Sequence, residues 1–220
     1  MHILILAAGE RVVTPLLKRL ARRCDLTIAA DGGVRLARAA RLPLQHVVGD
    51  GDSLSRRDQR WLLAKAIPVD WHPVEKDQTD LELAIDLALA QRPTTIEVVG
   101  AWGLRADHTL SNLFLLERPV AAGVNAVLWA GWERIRLLAA GKYLIEPTFI
   151  GQRVSLIPLS RRVEGVCTRG LKYALREESL QRQQGRGVSN EVIFPHPMLE
   201  FTRGTLALLQ AFGRMRLAQL

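Results

Sequence analysis

The feature that most constrains this chain is an alternation running through its first 130 residues, where short apolar or β-branched runs are separated by segments of helical spacing. Runs at 2–8, 26–30, 45–48, 69–72, 95–99 and 125–130 read as strands. The clearest helix lies at 79–91, TDLELAIDLALAQ, with apolar residues recurring at helical spacing and Thr79 placed to cap it. Strand and helix in alternation predict a mostly parallel sheet covered by helices on both faces.

Past residue 131 the pattern changes. Strand-like runs at 153–159, 163–168, 171–175, 188–194, 198–202 and 205–210 follow one another with Gly, Pro and Arg-Gly turns between them and no good helix. Such a series predicts a small antiparallel sandwich or barrel. The expected architecture is an α/β N-terminal domain, 1–130, followed by a small all-β sandwich domain, 131–220, with the strand-like ERIRLL segment at 133–138 able to join either. At 220 residues and 48% apolar content, the chain can bury a core in each.

Several classes are set aside by the same residues. No apolar stretch approaches the roughly 18 residues needed to span a bilayer, and the opening run reads as a first strand, so a cytoplasmic protein without membrane contact is expected. Cys24 and Cys167 lie far apart with no partner at metal-ligand spacing, which makes buried reduced thiols the expectation. The formal charge of +8 invites a nucleic-acid reading, but basic residues such as Lys18, Arg19, Arg22, Arg23, Arg56, Arg57 and Arg60 are scattered and no aromatic residues interleave with them. No nucleic-acid partner is expected.

Ligands of an open parallel sheet bind outside the carboxyl ends of its strands, and here acidic residues follow strand after strand. Asp31 follows the second, Asp50 and Asp52 the third, Asp77 and Asp80 the fourth, and Asp107 the fifth. Asp and Gly after a strand are ordinary turn residues, yet four successive connections carrying Asp are hard to obtain from turn chemistry alone. So many like charges on one rim are costly unless some are protonated or a cation neutralises them. Magnesium fits best, being a hard cation held by one or two carboxylates together with substrate phosphates. Glycines at 32, 33, 49, 51, 100 and 103 would let backbone approach a polyphosphate. Among the histidines, only His108, beside Asp107, is a site candidate.

The ordered set AADGG (29–33), GDGDS (49–53), KDQTD (76–80) and GLRADH (103–108) followed by Asn112 resembles the thiamine pyrophosphokinase family. GLKYAL (170–175) and GVSNE (187–191) are similar to that family's thiamine-binding β domain. The resemblance implies transfer of pyrophosphate from ATP to the hydroxyl of thiamine, an N-terminal domain for ATP and Mg2+, and a homodimer with thiamine sites near the subunit interface. It implies that Asp50, Asp52 and Asp80 hold magnesium and, with Asp107, form the catalytic set. Asp31, Gly32, Asp77, Arg105, His108 and Asn112 would surround the ATP phosphates. Tyr173, Ser189 and Asn190 would contact thiamine, the last two at its pyrimidine end.

Two positions depart from the family pattern. Gly51 stands where an aromatic residue is usual, which is expected to loosen packing beneath the two aspartates, and Leu104 replaces a glycine, which bears on how closely that loop wraps phosphate. Rival readings start from other residues. ILAAGERVVTPLLKR partly matches the nucleotide-binding loop of sugar nucleotidyltransferases, but Arg11 stands where that loop needs a second glycine. A pyrophosphokinase acting on a pterin alcohol would share the N-terminal chemistry, and a basic nucleic-acid-binding scaffold would leave the acidic rim without a purpose.

Overall fold

The computed structural model describes residues 1–10 and 14–213. Arg11, on which the nucleotidyltransferase match fails, lies outside the described residues. Two compact units are present, Met1–Gly131 and Trp132–Leu220.

The first unit alternates strands β1 (His2–Leu6), β2 (Leu26–Ala30), β3 (His46–Gly49), β4 (Val69–Trp71), β5 (Thr95–Val99) and β6 (Asn125–Ala130) with helices α1 (Thr14–Arg23), α2 (Val34–Ala40), α3 (Arg56–Ala64), α4 (Asp80–Ala90), α5 (Ala106–Leu115) and α6 (Glu117–Ala121). All strand pairs are parallel, in the order β6-β5-β1-β2-β3-β4. Residues 3–6, 27–30, 47–49 and 96–99 are buried without a break, as strands covered on both faces require. The connections step outward from β1 to β4 and then return to β5 on the other side of β1. Right-handed crossovers therefore put α1, α2 and α3 on one face, while α4 crosses the other, against β1, β2 and β3. The reversal of direction opens a crevice between β1 and β5 at their carboxyl ends.

Local sequence sets the helix starts that flank this crevice. Thr79 caps α4, its Oγ1 accepting from Glu82 N at 3.2 Å, and Leu81, Ala84, Ile85 and Ala88 form the buried stripe. Ser55 and Asp58 close a reciprocal capping box on α3, and Arg38 Nε donates to the fully buried Asp58 at 2.8 Å.

The second unit is all β among its described residues. Strands β7 (Glu133–Leu138), β9 (Arg153–Pro158), β12 (Asn190–Glu191) and β14 (Leu206–Ala211) pair antiparallel in the order β12-β9-β14-β7. A second antiparallel sheet runs β11-β10-β13-β8, from β8 (Gly141–Leu144), β10 (Arg162–Arg169), β11 (Glu178–Gln181) and β13 (Met198–Phe201). Inward residues of both sheets, among them Val154, Leu156, Val163, Val166, Leu199, Phe201, Leu206 and Leu208, share one core.

Of two expected strands, one is not formed and the other is shortened. Residues 171–175 keep only an isolated bridge, Leu171 to Val192, and 188–194 shrinks to β12. Positive φ at Glu177 (55°), Ser189 (59°) and His196 (55°) turns the backbone out of the extended region beside each run. Conversely, β11 was not legible because ESLQ buries only Leu180 and shows no alternation.

Candidate active site

A cavity of about 260 Å³ occupies the crevice between β1 and β5. Its lining is small and apolar at Ala7, Ala8, Ala30 and Ala101, and polar at Asp31, Ser53, Thr79, Asp80, Arg105, His108 and Asn112. Backbone closes it on one side: Ala7 N donates to Val99 O at 2.8 Å, Gly9 N donates to Gly100 O, and Glu10 N donates to Trp102 O at 3.1 Å.

The acidic residues that follow β2 and β3 converge. Asp31, Asp50 and Asp52 each offer a carboxylate oxygen, and these atoms lie within 4.8 Å of one another. Asp31 is 4% exposed and sits at φ 40°, a conformation that costs an ordinary residue about 1 kcal/mol or more. Its Oδ2 accepts from Ser53 N at 3.3 Å, whereas Oδ1 is buried without a hydrogen-bond partner among the described residues. Asp50 Oδ1 accepts from Asp52 N at 3.1 Å.

Lys76 joins the remaining carboxylate to this group. Its Nζ donates to Asp50 Oδ2 at 2.7 Å and stands 3.1 Å from Asp80 Oδ1, an ion pair outside hydrogen-bond angles. The hydrogen bond from Lys76, helped by the Asp52 N–H, holds Asp50 below the ordinary carboxylate range. Burial pushes Asp80 above that range, with the charges of Asp50 and Asp31 adding and Lys76 opposing. Burial also works against the Lys76 ammonium, but its attraction to both carboxylates outweighs it and leaves the lysine above its usual value. Lys76 was not singled out from the sequence. The signal was present, since Lys76 lies four residues ahead of Asp80, the first residue of α4, but its partner Asp50 is 26 residues away.

The other expected residues fall into two groups. Arg105, His108 and Asn112 line the cavity, with Asn112 Nδ2 donating to Ala101 O at 2.8 Å and so pinning the β5–α5 connection. Asp107 is exposed and forms a fork with Arg105 at 2.6 and 3.2 Å, which with the His108 N–H holds its carboxyl down to about 2. Asp77 is exposed, and the structure does not bring it to the cluster. Gly32 is buried, and a Cβ there would stand 2.8 Å from an Arg35 guanidinium nitrogen, 3.0 Å from Ala8 Cβ and 3.2 Å from Ser53 Cβ. Leu104 takes φ 66° in the loop ahead of Arg105, where a glycine would be free of strain. The other departure, at Gly51, leaves no gap: the ring of Trp71 fills the space beside it.

In the second unit, Tyr173 and Asn190 line a cavity of about 160 Å³. Asn190 is 3% exposed, and its amide is engaged by the protein itself. Oδ1 accepts from Tyr173 N and from Glu191 N, each at 2.9 Å, and Nδ2 donates to Tyr173 O at 2.8 Å. Ser189 is exposed, its backbone N donating to Ser155 Oγ at 3.0 Å.

Known proteins are similar to this chain over both units. The family model of the thiamin pyrophosphokinase catalytic domain matches residues 17–128, and that of the thiamin pyrophosphokinase vitamin B1 binding domain matches 142–206. The chain is 31% identical to thiamine pyrophosphokinase of Bacillus subtilis (strain 168) over 208 residues, 94% of this chain and 97% of that protein. A crystal structure of thiamine pyrophosphokinase from Bacillus subtilis superposes with a TM-score of 0.87 at 30% identity, covering 96% of this chain and 99% of that one. Thiamin pyrophosphokinase from Geobacillus thermodenitrificans gives 0.83 at 28% identity, over 99% and 100%. Similarity that runs through both units, in chain order and over nearly the whole length, places the chain in one family: it belongs to the thiamin pyrophosphokinases.

Proposed function

We propose that this protein transfers pyrophosphate from ATP to the hydroxyl of thiamine, giving thiamine diphosphate and AMP. The observation that carries the reading is the gathering of Asp31, Asp50 and Asp52 beside a cavity at the sheet's switch point, in the unit that matches the catalytic domain. The nucleotide would occupy this cavity, with its phosphates toward Arg105 and the first turns of α4 and α5.

A divalent metal fits the donor set, which is all oxygen and includes the buried, unpartnered Asp31 Oδ1. Asp31, Asp50 and Asp52 would hold Mg2+, and Asp80 would complete the site through Lys76. When bound, the ion would neutralise charge on the polyphosphate. The chain's own residues supply the rest. The thiamine oxygen bonds to the β-phosphorus as the bond to the α-phosphate oxygen breaks, AMP leaves, and a carboxylate takes the hydroxyl proton. Asp107, held near 2 by Arg105, is a weak base for that task. Asp80, pushed upward by burial, is better suited. Arg105 would instead lie against phosphate.

Thiamine would bind to the β unit near Tyr173 and Ser189. We further propose a cytoplasmic homodimer, in which a second copy covers the large apolar side chains left exposed on the β unit, Ile150, Ile193 and Phe194. No described helix is long and apolar enough to cross a membrane. The test is the product pair: purified protein with Mg-ATP and thiamine should yield AMP and thiamine diphosphate in equal amounts. Formation of ADP, or turnover of a pterin alcohol but not of thiamine, would overturn the assignment.

A further inference from the structure

Asp50 and Asp52 owe their positions to a tight turn after β3, and Gly51 at its centre has φ 81°. A Cβ added to Gly51 would stand 2.6 Å from Cζ3 of Trp71, 3.3 Å from Cη2 and 3.5 Å from Cε3. The six-membered ring of the indole therefore lies against the turn, in the space where a side chain of residue 51 would begin. Strand pairing puts it there. Trp71 is the partner of Gly49 in the β3–β4 ladder, and His72 N donates to Gly49 O at 2.9 Å. Yet Trp71 is 60% exposed, so core burial does not account for a side chain of this size.

Ties within the turn and its continuation run from Asp52 N to Asp50 Oδ1 at 3.1 Å, from Ser53 Oγ to Asp52 Oδ1 at 3.0 Å and from Leu54 N to Gly51 O at 3.1 Å, and Ser53 N also donates to Asp31 Oδ2 at 3.3 Å. The indole and Lys76 reach it from outside, and both belong to the stretch from β4 to α4. An aromatic support expected at residue 51 is thus supplied across the sheet by the edge strand.

We propose that Trp71 is a positioning residue for the metal site: its ring braces the Asp50–Gly51–Asp52 turn and so sets the affinity for a divalent cation without contacting it. The proposal rests on Asp50 and Asp52 being metal ligands. Mn2+ is titrated into nucleotide-free protein and followed by loss of the free-ion EPR signal, a readout that needs neither thiamine nor turnover. Trp71→Ala should weaken Mn2+ binding about tenfold, and Trp71→Phe should restore most of it. In Mg-ATP kinetics, Trp71→Ala should raise the apparent KM for Mg2+ while kcat at saturating Mg2+ stays within about twofold.

A cycle with Gly51→Ala isolates the contact. In the wild-type background the new Cβ meets the indole and should impair Mn2+ binding; in the Trp71→Ala background only the backbone strain remains, so the loss should be smaller. Equal losses in both backgrounds, or wild-type Mn2+ affinity in Trp71→Ala, would overturn the role of Trp71 while leaving the metal reading intact. Wild-type protein that bound no Mn2+ would instead sink the metal reading, and this proposal with it.

Discussion

Asn190→Ala separates a residue that touches substrate from one that shapes the place where substrate binds. The Asn190 side chain makes three hydrogen bonds, two to the backbone of Tyr173 and one to Glu191 N, and is almost wholly buried. At about 1 kcal/mol for each such bond, truncation removes roughly 3 kcal/mol. Tyr173 is exposed, so water can reach its freed N–H and C=O and return part of that, leaving a loss of about 2 kcal/mol. The loop that carries Tyr173 then keeps its backbone ties to β12 and the residues after it, Lys172 N to Glu191 O and the Leu171–Val192 bridge, but loses the Asn190 tie, and the thiamine side of the site loosens. In urea unfolding the midpoint should fall with the slope unchanged. In steady-state kinetics KM for thiamine should rise, while KM for ATP should stay within about twofold because the proposed nucleotide cavity is lined wholly by the first unit. Asn190→Asp keeps both acceptor bonds and loses the donor, so it should fall between wild type and Asn190→Ala in both measurements. Unchanged stability in Asn190→Ala would refute the reading of Asn190 as a clasp. Lost ATP affinity with thiamine affinity kept would refute the division of substrates between the units.

Two further predictions concern the first unit. Lys76→Met leaves Asp50 and Asp80 without their shared cation, so the metal-free protein should be less stable by about 2 kcal/mol at neutral pH, and added Mg2+ should raise its melting temperature more than that of wild type; equal Mg2+ increments in the two proteins would show that the ammonium and the metal do not share the same carboxylates. Leu104→Gly should raise stability by roughly 0.5 to 1 kcal/mol, because relief of left-handed strain at an 80% exposed leucine exceeds the added chain entropy of glycine; a lower melting temperature would mean the leucine side chain makes a stabilising contact.

The parts of the fold that were legible in the sequence are those carried by periodicity. The run at 79–91 has its apolar residues on one face and Thr79 ahead of them, and α4 forms with that stripe buried and that cap in place. Strands buried on both faces produce near-continuous apolar runs, which is why β2, β6 and β5, the last interrupted by Glu97, could be bounded from the sequence. The β unit was less legible because its connections depend on positive φ at residues such as Glu177 and Ser189, and an L residue gives little warning of that conformation. Asp31, Asp50, Asp52 and Asp80 could be placed at one sheet edge because topology alone puts them there. Which of them meet could not be read: Asp31 joins Asp50 and Asp52 directly, whereas Asp80 meets Asp50 across Lys76.

Residue 51 marks the limit of reading a motif as a local object. Taken along the chain, a glycine in place of an aromatic residue means missing volume under two ligands. Across the sheet, the same glycine faces a tryptophan 20 positions later, brought alongside by a parallel register in which Gly49 pairs with Trp71. Parallel pairing joins residues separated by a whole crossover, so no window on the sequence holds both partners. The volume required beneath Asp50 and Asp52 is a property of the folded turn, and a side chain from β4 can supply it as well as one from the turn itself. The glycine then follows from the tryptophan, since any Cβ at residue 51 would collide with the ring that replaces it.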